Sequence, residues 1–203
     1  MEVFGLTGGI ASGKSTVSSI LKNEFNISVI DADTLARKAV EPNRSGLSQI
    51  VAFFGKDILL SDGSLNRKKL GKVTFNDAKK IKILNNIIHP LVDEMFLEKV
   101  KEYEEKRHPW IIYDCPLLME EKLMHRVHKT ILVTVDEPTQ LARLMERESL
   151  DKQQALNRVR LQMSMKEKLK RADYIIYNDG DYLQLREGVH YLWKIISRGF
   201  VSS

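Results

Sequence analysis

Gly8-Gly9-Ile10-Ala11-Ser12-Gly13-Lys14-Ser15 matches the pattern G-x-x-x-x-G-K-[ST] at each of its fixed positions. The short apolar run 3–6 precedes this stretch and predicts a buried strand. After Lys14, apolar residues recur at helical spacing within 17–21, which predicts a helix. The pattern requires a strand, a glycine-rich turn and a helix in this order, so the stretch is predicted to bind phosphate groups.

The residue types of this loop suit the binding of a nucleoside triphosphate. Glycines let the backbone turn so that its N–H groups point at phosphate oxygens, and the N-terminus of the following helix attracts the same anion. Lys14 is predicted to reach the β- and γ-phosphates of ATP and to act in catalysis, and the Ser15 hydroxyl is predicted to hold Mg²⁺. The predicted ATP-binding residues of the loop are Gly8, Gly9, Ile10, Ala11, Ser12, Gly13, Lys14, Ser15 and Thr16.

Four further features of the sequence predict a parallel sheet. Residues 27–30 form a second apolar run, so that strand, loop, helix and strand make a βαβ unit with a right-handed crossover. The continuous apolar runs 110–113 and 130–135 predict central strands buried on both faces. Residues 174–177 predict a last short strand, before an amphipathic helix over 182–196. The predicted fold is three-layer α/β with a five-stranded parallel sheet.

Two helical segments are predicted to interrupt this core. Segment 34–106 is almost wholly helical in pattern, with stripes such as Val92, Phe96 and Val100. The second segment is 138–170, in which residues 141–170 are helical in pattern and rich in Arg and Lys. We predict that prolines and glycines divide the first segment into several shorter helices, at Pro42, Gly46, Gly55, Gly63 and Pro90. The prediction is one domain over 1–203, with a core formed by 1–33, 107–137 and 171–203.

Composition limits the class of protein. The chain has 203 residues, of which 43% are hydrophobic and 29% charged, which is typical of a folded globular protein. Cys115 is the single cysteine, so an internal disulfide and a cysteine zinc cluster are excluded. The sequence shows neither a secretory signal nor an apolar run long enough for a membrane span, which predicts a cytoplasmic protein. A net charge of +5 suits polyanionic partners, either nucleotides or nucleic acid.

Further motifs extend along nearly the whole chain. They are Gly5-Leu6-Thr7-Gly8-Gly9-Ile10, Asp31-Ala32-Asp33 with Arg37, Leu65 and Arg67, His89-Pro90, Asp114-Cys115-Pro116-Leu117-Leu118 with Glu120, Arg143 and Arg147, Gln162 with Lys168, Ala172-Asp173, and Asn178 before Gly180. Together they resemble the dephospho-coenzyme A kinases. The resemblance implies ATP-dependent phosphorylation of the ribose 3′-hydroxyl of dephospho-CoA, with segment 34–106 binding the acceptor and segment 138–170 acting as a lid.

The motif Asp31-Ala32-Asp33 follows the second strand. The carboxyl ends of parallel strands share one edge of a sheet, where open α/β folds bind their ligands. Asp33 is therefore a candidate to accept or orient the acceptor hydroxyl, as the resemblance also implies, and a candidate Mg²⁺ contact through water. The alternative is that Asp31 or Asp33 caps a helix beginning at Thr34, a role that suits both residues equally well.

Asp114 ends the predicted strand 110–113, as does the acidic residue near Mg²⁺ in many kinases. The alternative role for Asp114 is a turn before Pro116. Arg143 and Arg147 lie four residues apart, so they share a helix face on which two guanidinium groups could grip phosphate oxygens. We predict that Arg143 is catalytic and that Arg147 binds ATP. The alternative is a solvated helix whose arginines pair with Glu146 and Glu148.

The remaining site residues depend on the resemblance. It implies that Asn178 and Gly180 lie in a loop that contacts ATP, although residues 178–180 would also form an ordinary turn. His89 is expected to touch the acceptor, or else to mark a helix boundary with Pro90. The residues expected to bind the acceptor substrate are Thr7, Asp31, Asp33, Arg37, His89, Pro116 and Leu117.

Two other functions are compatible with the phosphate loop. A different small-molecule kinase would share the loop, the sheet and the lid, but the motifs 31–33 and 116–118 argue against it. An ATP-dependent nucleic-acid-binding protein would need a basic stripe with interleaved aromatic residues. Aromatic residues are 7% of the chain and lie mostly in apolar periodicities, so nucleic acid is not predicted as a partner. A membrane is not predicted either, because the sequence has no apolar run long enough to span one. The sequence leaves the oligomeric state open, and a monomer is one of the possibilities.

Overall fold

A computed structural model of the chain describes residues 1–74 and 77–198. The chain divides into two compact units. The sheet unit comprises Met1–Ile30 and the described residues from Arg107 onward, and the helical unit comprises Asp31–Lys106. Each unit has a hydrophobic core of its own.

The described residues form five strands and nine α-helices. The strands are β1 (Glu2–Gly8), β2 (Ser28–Asp31), β3 (Trp110–Asp114), β4 (Lys129–Thr134) and β5 (Tyr174–Tyr177). The helices are α1 (Lys14–Phe25), α2 (Ala32–Lys38), α3 (Ser45–Phe54), α4 (Arg67–Thr74), α5 (Ala78–Glu105), α6 (Glu137–Glu148), α7 (Lys152–Arg160), α8 (Met165–Leu169) and α9 (Tyr182–Arg198). Within the described chain, no helix is long and apolar enough to cross a bilayer.

The sheet has the strand order β2-β3-β1-β4-β5. β1 pairs in parallel with β3 and β4, and β4 pairs in parallel with β5. In this register Leu6 lies between Asp114 on one neighbour and Ile131 on the other. The predicted five-stranded parallel α/β sheet is therefore confirmed over the described residues. The phosphate loop follows the central strand, and Asp114 ends the strand beside it.

The core of the sheet unit explains the apolar patterns of its elements. Buried residues of β1, β3, β4 and β5, such as Phe4 and Ile112, pack against buried residues of α1 and α9, such as Val17 and Trp193. The strands are continuous apolar runs because both faces of a central parallel strand are covered. The apolar side of α1 is packed in the core, and this packing fixes the N-terminus of α1 at the phosphate loop.

Three helices, rather than one continuous helical stretch, occupy segment 138–170. Asp136 accepts the N–H of Thr139 at 2.8 Å and starts α6. Asp151 forms a capping box with Gln154 and starts α7. Ser164 accepts the N–H of Glu167 and starts α8. Each cap satisfies backbone donors that a helix leaves free at its beginning, which is why the segment breaks there.

The helical unit contains α2 to α5 around a core that includes Val40, Ile50 and Leu70. The prediction that Pro90 ends a helix is wrong, because α5 runs through it from Ala78 to Glu105. Pro90 is exposed, whereas the apolar side of α5 packs against the core of this unit. That packing outweighs the single hydrogen bond which the proline cannot donate.

The prediction for Gly46 is also wrong, because Gly46 lies inside α3 and is buried. A Cβ atom there would collide with the carbonyl oxygen of Ala39, so the glycine permits close packing rather than a break. Segment 34–106 also contains a short antiparallel bridge between Leu59 and Leu65, which the helical pattern did not predict.

Candidate active site

The phosphate loop lies between β1 and α1, as its pattern predicts. Gly13 directly precedes α1 with φ 87° and ψ 17°, a left-handed conformation that glycine adopts at little cost. Ala11 also has a positive φ, of 58°, which is uncommon for a residue with a side chain. The N–H of Ser12 donates to the carbonyl of Gly9 at 3.1 Å and closes the turn.

Side chains from α6, from α8 and from the loop after β5 contact carbonyl oxygens of the phosphate loop. Lys168 Nζ lies 3.4 Å from the oxygen of Gly8. Gln140 Nε2 donates to the oxygen of Ile10 at 2.7 Å. Asn178 Nδ2 donates to the oxygen of Ser12 at 2.8 Å. Every second carbonyl from Gly8 to Ser12 is therefore fixed by a side chain that lies far away in the sequence.

Lys14 forms an ion pair with Asp114 at the end of β3. The lysine side chain is 18% exposed and the aspartate side chain 7% exposed, so the pair lies at the edge of the protein interior. The predicted proximity of Asp114 to the loop is thus present in the sheet unit. A buried carboxylate needs such a partner, because its charge has lost most of its hydration.

The oxygen donors near the loop fit a divalent ion shared with phosphates. Ser15 lies exposed in the first turn of α1, and the carboxylate of Asp114 pairs with Lys14, the residue before it. Among the described residues, no group of three or more His, Cys, Asp or Glu side chains could hold a metal by itself. Mg²⁺ suits this arrangement, since it usually keeps several waters and takes one or two protein oxygens together with substrate phosphates.

The two predicted lid arginines make different contacts. Arg143 Nη1 on α6 donates to the carbonyl of Asn178 at 3.0 Å, so Arg143, Asn178 and the loop carbonyl of Ser12 form one chain of hydrogen bonds. Arg147 is exposed and pairs with Glu148 at 2.7 Å. Glu148 also pairs with Arg158 of α7. For Arg147 the structure therefore shows the salt-bridged arrangement that the sequence left open.

The loop that follows β5 is joined to the start of α6. Asp179 Oδ1 accepts the N–H of Asp136 at 2.7 Å. The backbone N–H and the hydroxyl of Thr139 hold the pKa of Asp136 below its ordinary value, because both stabilise the carboxylate. The charged cap thus fixes the beginning of the helix that carries both Gln140 and Arg143.

Thr7, Pro116 and Leu117 are the residues of the sheet unit that were predicted to contact the acceptor, and they differ in exposure and in their hydrogen bonds. The Thr7 hydroxyl donates to the carbonyl of Pro116 at 3.0 Å, and its side chain is fully buried. Leu117 is 40% exposed. Thr7 therefore fixes the loop after β3 with its hydroxyl, while Leu117 presents an apolar surface to solvent.

In the helical unit, the structure settles which aspartate caps α2. Asp31 Oδ1 accepts the N–H of Thr34 at 2.9 Å, and α2 begins at Ala32. The helix therefore starts two residues before Thr34, and Asp33 lies exposed in its first turn rather than at its cap. The capping role belongs to Asp31, which leaves the carboxylate of Asp33 available for another role.

The other two predicted residues of this unit lie on α2 and α5. Arg37 is exposed, and its carbonyl accepts a hydrogen bond from Arg67 Nη2 at 3.4 Å. His89 is half-buried in the middle of α5, next to Pro90. The alternative that His89 and Pro90 mark a helix boundary is therefore wrong.

A family model described as dephospho-CoA kinase matches residues 2–184 of the chain. The chain belongs to the dephospho-CoA kinase family. It is 49% identical over 177 residues to the dephospho-CoA kinase of Oceanobacillus iheyensis, and the match covers 87% of this chain and 88% of that protein. The resemblance predicted from the motifs is thereby confirmed.

Solved structures agree with the fold of this dephospho-CoA kinase family member. The crystal structure of TT1252 from Thermus thermophilus has a TM-score of 0.81 and 31% identity, covering 97% of each chain. A dephospho-CoA kinase from Campylobacter jejuni has a TM-score of 0.67 and 29% identity, covering 96% of this chain and 97% of its own. As a family that uses ATP, dephospho-CoA kinases require a divalent metal.

Three side chains contact the loop of this family member although the sequence did not predict these contacts: Gln140, Gln162 and Lys168. Gln140 precedes the buried Leu144 by four residues and so shares its helix face. A polar residue at such a core position of α6 could have indicated a buried hydrogen bond. Lys168 is fully buried and pairs with Glu120 at 2.7 Å. The motif comparison included Lys168, but no local pattern in the short helix α8 indicates that it is buried.

Proposed function

We propose that this chain transfers the γ-phosphoryl group of ATP to the ribose 3′-hydroxyl of dephospho-CoA, giving coenzyme A and ADP. The observation that carries the proposal is the match of the dephospho-CoA kinase family over residues 2–184. The phosphate loop with its left-handed Ala11 and Gly13 supports it. Phosphoryl transfer needs mainly positioning and stabilisation of charge, and these are what a rigid loop with a lysine supplies.

On the donor side, Lys14 would hold the β- and γ-phosphates and offset the charge that moves during transfer. Residues 8–16 would bind the triphosphate through backbone N–H groups. Mg²⁺, held by Ser15 and through water by Asp114, would supply further charge neutralisation when bound. Asp114 would have to share its carboxylate between the ion and Lys14, with which it now pairs.

The residues around α6 and the loop after β5 would complete the ATP site. Arg143 would stabilise charge near the phosphates, and Arg147 would reach ATP by leaving Glu148. The Asn178 side chain is already bonded to Ser12, so Asn178 would act on ATP through the shape of the loop that leads to Gly180.

On the acceptor side, we propose that Asp33 accepts or orients the 3′-hydroxyl of dephospho-CoA, and that it contacts Mg²⁺ through water. Its exposed carboxylate supports this, since Asp31 performs the capping. Arg37 and His89 would bind other parts of the same substrate, as would Asp31, Thr7, Pro116 and Leu117. A cytoplasmic location and action without nucleic acid or membrane stay predictions, and the oligomeric state stays open.

Turnover is expected to require both dephospho-CoA and a divalent metal. We expect ADP release with dephospho-CoA to exceed release with AMP, adenosine or single-stranded DNA by at least ~100-fold, because binding of the whole acceptor aligns its hydroxyl for transfer. Addition of EDTA should abolish release, and Mg²⁺ should restore it. A coupled assay that offers the four acceptors in parallel measures both effects. Comparable turnover with AMP, and none with dephospho-CoA, would contradict the proposed acceptor.

Segment 138–170 is proposed to act as a lid over bound nucleotide. Gln140 and Gln162 both bond to Ile10, so we expect the part between these two anchors to move more than the anchors themselves. An unreactive ATP analogue with dephospho-CoA should therefore slow amide hydrogen exchange within residues 143–160 by at least ~10-fold, as the arm becomes ordered. Exchange that stays unchanged across residues 138–165 would indicate a fixed structural arm.

A further inference from the structure

The carbonyl of Ile10 is held by a buried side chain that the proposed reaction does not use. Gln140 of α6 is 5% exposed, and its Nε2 donates to this carbonyl at 2.7 Å. An amide removed from water in this way is costly unless it is hydrogen-bonded. Leucine occupies the next buried positions of the same helix, at 141 and 144, so a polar residue here calls for a specific reason.

The bond to Ile10 determines the direction of the next N–H group. In a trans peptide the C=O of one residue and the N–H of the following residue point in opposite directions. Because Gln140 draws the Ile10 oxygen toward α6, the N–H of Ala11 points away from α6. Within the part of the chain that the structure describes, this N–H donates to no protein acceptor. It is thus a free donor in a loop built to bind an anion.

Ala11 holds this direction in a conformation that alanine disfavours. Its φ of 58° lies in the left-handed region, where a Cβ atom is crowded by the backbone. Such residues persist where their surroundings determine them. Here Gln162 accepts the N–H of Ile10 at 2.7 Å while Gln140 donates to its carbonyl, so both sides of Ile10 are fixed. Ile10 and Ala11 also pack against the apolar cluster of α6 and α7.

We propose that Gln140 is a positioning residue of the phosphate loop. Its bond to Ile10 keeps Ala11 left-handed, so that the Ala11 N–H is directed at the phosphates before the nucleotide arrives. Left-handed residues that alternate with ordinary ones bring backbone N–H groups together into an anion-binding concavity. The inference rests on the proposed ATP site, but it does not depend on the identity of the acceptor.

The test replaces Gln140 with methionine, which has a similar length and no N–H donor. Gln140→Met is expected to weaken ADP binding about 10- to 100-fold and to raise the KM for ATP similarly, since a hydrogen bond to a charged group is lost or misdirected. The KM for dephospho-CoA should change less than about twofold. Gln49→Met is the matched control, because Gln49 is exposed on α3 and the same substitution there should leave ADP affinity unchanged.

A second substitution distinguishes positioning from simple packing. If Gln140 acts by holding Ala11 left-handed, glycine at position 11 should need this support less, because glycine adopts that conformation without the Cβ penalty. Ala11→Gly combined with Gln140→Met should therefore regain about fivefold in ADP affinity over Gln140→Met alone. The single Ala11→Gly variant completes the cycle, and any gain in affinity that glycine gives while Gln140 is present should be smaller than this fivefold gain. Such non-additivity is the signature of coupled residues.

Three results would overturn the proposal. The first is an ADP affinity of Gln140→Met within about twofold of wild type at an unchanged melting temperature. The second is strict additivity of the two substitutions. The third is a loss of ADP affinity in Gln140→Met that Gln140→Leu does not show. Leucine lacks the same N–H donor but has another shape, so such a difference would mean that side-chain shape, and not the hydrogen bond, causes the loss. ADP binding is measured by calorimetry without an acceptor, so a failure to phosphorylate dephospho-CoA would contradict the proposed function and leave this test intact.

Discussion

Lys14→Ala is expected to lower kcat/KM by at least ~100-fold, which is about 2.7 kcal/mol at ~1.36 kcal/mol per decade. The physical reason is that the ammonium group would bridge the β- and γ-phosphates while charge moves between them. The measurement is ADP release with saturating and limiting ATP at a fixed concentration of dephospho-CoA. Near-normal activity in a well-folded variant would show that the loop is not the catalytic phosphate site.

The ion pair with Asp114 provides the control for this experiment. Loss of Lys14 removes the cation beside a side chain that is 7% exposed, so Lys14→Ala alone should also lower the melting temperature. In the double variant with Asp114→Asn, the buried negative charge is gone as well. We expect the double variant to recover stability but not activity. This separation would show that the lost turnover comes from the missing charged groups of the site and not from a weakened fold.

Local sequence patterns were sufficient to predict the sheet. The strand over Tyr174–Tyr177 has the predicted bounds, and the central strands differ from prediction by one or two residues at their ends. A central parallel strand is buried on both faces, so its sequence is an uninterrupted apolar run that contrasts with its surroundings. The phosphate loop was equally clear, because its glycines, lysine and serine are needed at fixed spacing.

Contacts between distant residues were not predictable in the same way. Gln140 lies 130 residues from the Ile10 carbonyl that it binds, and Asn178 lies 166 residues from Ser12. No local propensity records such a contact, since it depends on the packing of α6 and β5 beside the loop. The prediction that a helix ends at Pro90 was wrong for the opposite reason. Proline usually ends a helix, but the apolar packing of α5 outweighs this local preference.

The aspartates after β2 show how a local ambiguity bears on function. Two residues of the same type, two positions apart, are equally good helix caps by composition. Only the observed start of α2 at Ala32 assigns the cap to Asp31 and leaves Asp33 in the first turn. An acidic residue in the first turn still interacts favourably with the helix N-terminus. A substitution at Asp33 must therefore separate this modest structural effect from catalysis.

Asp33→Asn is expected to lose most turnover while it keeps its ATP affinity and loses little stability. Asparagine is nearly isosteric with aspartate, but it lacks the negative charge and the proton acceptor. General-base assistance is typically worth ~10²–10⁴-fold, so the expected loss is about 3–5 kcal/mol of transition-state stabilisation. The lower end of this range is favoured, because a loose phosphoryl-transfer state demands little deprotonation of the acceptor.

The experiment compares kcat with dephospho-CoA, the melting temperature and the affinity for an ATP analogue on one preparation. Asp57→Asn is the matched control, because Asp57 is an exposed aspartate of the same helical unit and the same charge is removed there. If Asp33 orients or deprotonates the hydroxyl, only Asp33→Asn loses kcat, since ATP is bound by the phosphate loop. An Asp33→Asn enzyme within a few-fold of wild-type kcat would limit Asp33 to its favourable charge at the start of α2. Asp31 or Asp114 would then be the candidates for the acceptor hydroxyl.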